Sequence, residues 1–240
     1  MKLPQRIRWK HLMRFYEGLE PFLKASPLKQ KKPDSGRVLV LAPHIDDDII
    51  GCGGCLLKHV EAGDELKIIY FADCTPGRIS EAEAAAGVIG IKHLEFLGYR
   101  AKTLLAHNDI IERISGLIRD YGPDIIYLPS FLDRHNDHLA VNHIFSLLTI
   151  KHDYQFLVYA YEVWSTLIPN LIIDISSEIE KKREALRCFK SQITPNDWVE
   201  AAAALNRYRG ITSGAGTYAE GFIRYSAKEY ACLLQRVFGK

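Results

Sequence analysis

The stretch Arg37–Gly54, RVLVLAPHIDDDIIGCGG, decides how the rest of the chain is read. Val38 to Ala42 is a short, continuous apolar run without alternation, the pattern of a strand buried on both faces of a parallel sheet. It stops at Pro43 and gives way to His44 and three consecutive aspartates, Asp46, Asp47 and Asp48, before a glycine cluster opens a helix. These polar side chains therefore lie just past the carboxyl end of a buried strand. Ligands bind at that edge in open α/β sheets, because the strand ends splay apart and the next helix turns its amide-rich N-terminus toward the crevice.

Downstream the same rhythm repeats. Helix signals run from Ile49 to Ala62 and end at Gly63, an apolar run follows over Leu66 to Ala72, and a loop with Pro76 and Gly77 leads to a helix from Ser80, the expected N-cap, to Ile89. Leu94 to Leu97 reads as a third strand, residues 109–120 as an amphipathic helix, and Ile125 to Leu128 as a fourth buried strand. Beyond it, Phe156 to Trp164, Leu171 to Ile175 and Tyr218 to Tyr225 read as strands, with helices over 178–189, 197–209 and 228–238. Strand and helix in alternation predict an α/β fold, a Rossmann-like three-layer sandwich with a mostly parallel sheet. A second polar cluster, PSFLDRHNDHLAVNHI (Pro129 to Ile144), starts where the fourth strand stops and should face the same crevice as His44.

The chain has 240 residues, 48% hydrophobic and 25% charged, enough for one sizeable core. No apolar stretch is long enough for a membrane span or a signal peptide, which predicts a cytoplasmic protein. Five scattered cysteines argue for reduced, packed thiols. The net charge of +2 hides an asymmetry: residues 1–36 hold nine Lys or Arg against three acids, +6, so residues 37–240 carry −4. Without a basic stripe across the body, nucleic acid is not an expected partner. The division expected is a basic amphipathic segment and linker over 1–36 and one domain over 37–240. A helix over 7–23 has two readings, packing on the domain or peripheral contact of residues 1–32 with the inner face of a membrane.

A hydrolytic zinc site takes three imidazole or carboxylate ligands and leaves one position for water. His44 and Asp47, three apart in a loop, can wrap one ion, and His138 can reach it across the crevice. HIDDD with GCGG resembles the HPDDE-type signature of the LmbE-like (PIG-L) family of zinc-dependent N-deacetylases, and DRHNDH resembles that family's second signature. RISEAEAAAGVIGI, YEVW, KSQ and YAEGF follow in the family's order. The resemblance spans about residues 37–225. It implies zinc (Zn2+) as cofactor, the metal ligands His44, Asp47 and His138, and Asp46 as general base. It further implies that His135, oriented by Asp137, stabilises the tetrahedral intermediate as an imidazolium. Asp46 or His135 would protonate the departing amine. The implied substrate is a small N-acetylated sugar of the N-acetylglucosamine type or its conjugate, with a homo-oligomer as one available assembly.

The sequence departs from the family pattern at Ile45, Asp48 and Asn136, none of them a ligand or a proton carrier. Arg78 has two readings, a grip on a sugar hydroxyl or phosphate, or an ion pair with Glu81. Cys52 and Cys55 form CGGC, but they open an apolar helix and read as packing; GCGG lacks dinucleotide-loop spacing. Two rival functions stay open: hydrolysis of another amide or an ester by the same metal centre, and a catalytically silent, membrane-associated binding protein on the same fold.

Overall fold

The computed structural model describes residues 26–152, 154–194 and 196–239. The helix expected over 7–23 lies outside the described residues. An eight-stranded sheet runs in the order β1-β7-β8-β6-β5-β2-β3-β4. Its strands are β1 (Leu28–Gln30), β2 (Val38–Ala42), β3 (Leu66–Ala72), β4 (His93–Tyr99), β5 (Ile125–Pro129), β6 (Leu157–Tyr161), β7 (Leu171–Asp174) and β8 (Ala219–Ser226). All neighbours pair in parallel except β8, which is antiparallel to both β6 and β7.

Alternation along β2 makes two cores. Val38, Val40 and Ala42 join one apolar cluster with α1 (Asp47–Ala62), α2 (Pro76–Ile89), α5 (Ile179–Leu186) and α7 (Trp198–Ser213). Leu39 and Leu41 join the other with α3 (Ile110–Tyr121), α4 (Asn136–Lys151) and α8 (Ala227–Phe238). A sheet covered on both faces needs continuous apolar strands, which is why β2 and β5 are buried at every position. Among the described residues no helix is long and apolar enough to cross a membrane.

Three boundaries differ from the sequence reading. Helix α2 begins at Pro76, with Thr75 and not Ser80 at its N-cap. Proline suits the first helical turn because its fixed φ is already helical and its missing N–H would be unpaired there. Strand β6 stops at Tyr161, short of Trp164. Within the stretch read as a plain linker, Leu28–Gln30 forms the edge strand β1, three residues whose exposed, polar character hides a strand signal. Asp34 fastens this segment to the sheet, accepting from Tyr159 Oη at 2.6 Å and from Arg224 Nε at 2.9 Å.

Helix α1 carries the aspartates and is fixed from two sides. The glycines permit close approach: a Cβ on Gly51 would overlap the Tyr161 ring, and one on Gly54 would lie 2.7 Å from Ile175. Glu220 on β8 accepts from the amides of Gly54 (2.8 Å) and Cys55 (2.9 Å), while Lys182 Nζ donates to Glu220 (2.7 Å) and to the Ile50 carbonyl (2.9 Å). Cys52 and Cys55 are fully buried, and burial pushes both thiols up, so they are inert packing as their apolar context implied. Gly51→Ala should cost about 1–3 kcal/mol through overpacking. Urea unfolding measures it, and an unchanged midpoint would contradict this packing.

Candidate active site

Strands β2 and β5 are neighbours, Val38 beside Ile125 and Val40 beside Tyr127, although β3 and β4 come between them in sequence and lie on β2's other side. That reversal is the switch point where an open parallel sheet forms its crevice. The loop after β2 brings His44 there, and α1 starts with Asp47 and Asp48. The loop after β5 brings Asp133 and His135, and the first turn of α4 brings Asp137 and His138. The two polar clusters form one site.

Asp47 Oδ2 is its centre. It accepts the His44 backbone N–H at 2.9 Å and lies 3.2 Å from His44 Nδ1 and 3.1 Å from His138 Nε2. Each imidazole is backed by a second carboxylate: Asp137 Oδ2 lies 3.0 Å from His44 Nε2, and Asp133 Oδ2 lies 3.2 Å from His138 Nδ1. A carboxylate behind a ligating histidine fixes its tautomer and ring orientation and raises its basicity. The Asp137 carboxylate therefore faces His44, while its backbone amide meets His135. His135 is held differently, its Nδ1 accepting the Asp137 backbone N–H at 3.2 Å as the N-cap of α4. Asp133 had no role in the sequence reading; its only signal was its place at the head of DRHNDH.

Neither ring nitrogen of His138 has a partner in hydrogen-bond geometry, and the ring is fully buried. Leaving a buried polar atom unpaired costs about 1–3 kcal/mol. A cation on Nε2 would remove that cost. Neighbouring donors of a tetrahedral zinc, bound at about 2.0–2.1 Å, stand roughly 3.3 Å apart. Both Asp47–imidazole distances match that spacing. One ring nitrogen from each of His44, His135 and His138 also lies within 4.8 Å of the other two. This set of imidazoles and carboxylates can hold a metal ion.

The charges agree. Burial disfavours a charged His44, but hydrogen bonds to Asp137 and Asp47 outweigh it and bring its pKa to about 10. His138 is likewise disfavoured by burial and raised to about 9 by the charges of Asp47 and Asp133. Asp47 resists burial and is driven far below the usual carboxylate range, chiefly by His138 and His44. Burial and the neighbouring Asp47 charge push Asp46 well up, with Arg78 and His44 pulling the other way. His135 is lowered by burial and by the charges of His44 and His138.

Asp46 stands apart from this hydrogen-bonded set. It occupies the N-cap position of α1 without a capping side-chain bond, and its φ of 126° is a strained backbone for any residue with a Cβ. Lys102, also at positive φ (65°), points its N–H at both Asp137 oxygens, 2.8 and 2.9 Å away. Asp48 is buried away from the crevice and accepts from Tyr70 Oη at 2.9 Å, which holds the start of the helix. Ile45 is core, and its carbonyl accepts from Arg78 Nη2 at 3.2 Å. Arg78 does not pair with Glu81, whose carboxylate is taken by the amide and hydroxyl of Ser191. Arg78 faces the cleft instead, a space of about 230 Å3 also lined by Asp46, His135, Lys102 and Trp164.

Residues 39–148 match the family model described as PIG-L, GlcNAc-PI de-N-acetylase. The chain is 26% identical to diacetylchitobiose deacetylase of Thermococcus kodakarensis, over 86% of this chain and 90% of that one. Among solved structures it resembles a conserved protein of Thermus thermophilus, at 26% identity and a TM-score of 0.69 over 78% of this chain and 93% of that one. It also resembles the N,N'-diacetylchitobiose deacetylase of Pyrococcus horikoshii, at 22% identity and a TM-score of 0.71 over 95% and 97%. The matched segment, 110 of the 240 residues, contains both polar clusters and is similar to the PIG-L (LmbE-like) family.

Proposed function

We propose that this protein hydrolyses the N-acetyl group of an N-acetylglucosamine-type amino sugar or its conjugate, with one zinc ion held by His44, Asp47 and His138. The observation that carries the reading is the Asp47 carboxylate set between two carboxylate-backed imidazoles, beside the free carboxylate of Asp46. The relatives named for deacetylating diacetylchitobiose support the bond and the sugar class. Zinc in such a site supplies Lewis acidity, polarising a carbonyl and bringing the pKa of water toward neutrality.

The chain's own residues do the rest. Asp46 accepts the proton of the attacking water; it is the cleft carboxylate without a hydrogen-bonded partner, and its raised basicity suits that task. His135 uses Nδ1 to accept the Asp137 amide, so the proton of its neutral ring sits on Nε2. A donor there stabilises the developing oxyanion without carrying a full charge. This reading differs from the imidazolium expected from sequence, and the lowering of His135 by burial and by the charges of His44 and His138 supports it. Asp46, once protonated, is then the acid for the departing amine. Arg78, with Nη2 tied to Ile45 and Nε buried without a partner, presents its guanidinium to a sugar hydroxyl.

Acetate release from N-acetylglucosamine conjugates should be lost on chelation and return with zinc. Asp46→Ala should keep the metal and lose about 10²–10⁴-fold in turnover. His138→Ala should lose the metal itself. A fully active Asp46→Ala would disprove the base assignment. Asp46→Gly should be just as inactive, yet more stable than the alanine variant by about 1–3 kcal/mol, because glycine relieves the strained φ. Thermal unfolding of the two variants compares them, and equal midpoints would mean the backbone there is relaxed.

A further inference from the structure

The stretches RISE (78–81) and KSQ (190–192) meet at the cleft wall, and the reaction outlined above uses only Arg78 from them. Glu81 lies on α2, while Ser191 and Gln192 lie on the short helix α6 (Lys190–Ile193). Gln192 lines the same cleft as Asp46, His135 and Arg78. Its backbone amide donates to the carbonyl of Phe189, a buried core residue, at 2.9 Å. The residue is thus anchored to the core while its side chain borders the cleft.

Hydrogen bonding fixes which end of the Gln192 side-chain amide stays available. Glu81 Oε1 accepts the Ser191 amide at 2.8 Å, and Glu81 Oε2 accepts the Ser191 hydroxyl at 2.6 Å. An ionised carboxylate can only accept, so the single hydroxyl proton of Ser191 is committed to Glu81. Ser191 Oγ is left with lone pairs, and any group that bonds it must donate. Gln192 Nε2 does so at 2.9 Å. Oε1, on the other side of the planar amide, is left as a neutral acceptor of set orientation.

The donors a substrate offers decide what this acceptor suits. A sugar hydroxyl both donates and accepts, and it can turn toward Arg78, Lys102 or Asp73, which also line the cleft. The N–H of a secondary amide only donates, in one direction, and once out of water it needs an acceptor. Asp46 is occupied with the attacking water. A second carboxylate on that N–H would retain the departing amine as an ion pair, whereas a neutral carbonyl lets it go. An ester has no N–H and sets the lone pairs of its bridging oxygen against Oε1.

We propose that Gln192 is a specificity-determining residue that accepts the N–H of the scissile amide through Oε1, with Glu81 and Ser191 as the positioning residues that set its face. This role rests on the deacetylase reading above. In that reaction the water oxygen bonds to the acetyl carbon, and the C–N bond breaks with its electron pair left on nitrogen. Asp46 passes to that nitrogen the proton it took from the water. The hydrogen bond to Gln192 holds the nitrogen in one orientation while its lone pair forms.

The test uses the zinc-loaded full chain with two probes, N-acetylglucosamine and 4-nitrophenyl acetate, an ester of the same acyl group. Gln192→Ala should lower the ratio of kcat/KM, amide over ester, at least tenfold. A ratio is insensitive to the fraction of a variant that folds. Gln192→Glu sets two carboxylates on one hydroxyl and should lose at least tenfold on the amide at pH 7. Adding Glu81→Gln reverses every bond: the amide at 81 donates to Ser191 Oγ, whose proton goes to the carboxylate at 192. The double variant should return to within threefold of wild type, a rescue that a merely structural role does not give. A ratio unchanged in Gln192→Ala, or a double variant no better than Gln192→Glu, overturns the role of Gln192 and leaves deacetylation in place. Where wild type does not cleave the ester, the rescue alone decides. No acetate from the amide with wild type overturns the deacetylase reading and the role of Gln192 with it.

Discussion

One buried carboxylate oxygen, Asp47 Oδ2, organises this molecule's site. It lies within 3.2 Å of two imidazole nitrogens that come from loops ninety-odd residues apart in sequence, brought together because β2 pairs with β5. A negative charge in such a place is tolerable only against positive charge. Without a metal the imidazoles supply it as protons, and with one the ion supplies it. The packing of α1 serves this arrangement: glycines let it approach Tyr161 and Ile175, and the Lys182–Glu220 pair bonds its backbone from the side.

Around that oxygen the remaining groups sort by what holds them. Carboxylates stand behind His44 and His138, which holds both rings in place. A main-chain amide stands behind His135, which leaves its outer nitrogen as a neutral donor. Nothing caps Asp46, whose strained backbone aims a carboxylate at the cleft instead of at the helix end. Strain of this kind is kept where function over-determines the conformation. Trp164, on the loop after β6, is tied to the same cluster through Asp133, whose Oδ2 accepts its amide and faces His138.

Much of this was legible beforehand. Continuous apolar runs ending in HIDDD and in PSFLDRHNDH announced two buried strands with polar tips, and the tips do meet. Side-chain pairings were not legible, because spacing along a chain says nothing of which nitrogen faces which oxygen. Asp137 was read as the partner of His135, two residues before it, yet its carboxylate reaches His44 from a different loop. Asp133 was given no role, because only the folded chain shows its carboxylate facing His138 Nδ1. Of the two readings of Arg78, the ion pair with Glu81 does not form, because Ser191, 110 residues away, takes that glutamate. Strand β1 escaped notice because a three-residue edge strand, two residues exposed and Gln30 half-buried, has no apolar pattern to show.

The central claim is that Asp47 presets two imidazoles for a cation. In the metal-free protein at pH 7, His44 (about 10) and His138 (about 9) both hold an extra proton. A metal takes only neutral imidazole, so its binding must expel those protons, and the apparent affinity must rise with pH until about pH 10. Zinc titration by calorimetry at pH 7, in buffers of different ionisation enthalpy, counts the protons directly. The structure predicts more than one proton released per zinc bound, with binding that weakens steadily in acid. Zinc binding without proton release, or with an affinity flat from pH 6 to 9, would contradict it.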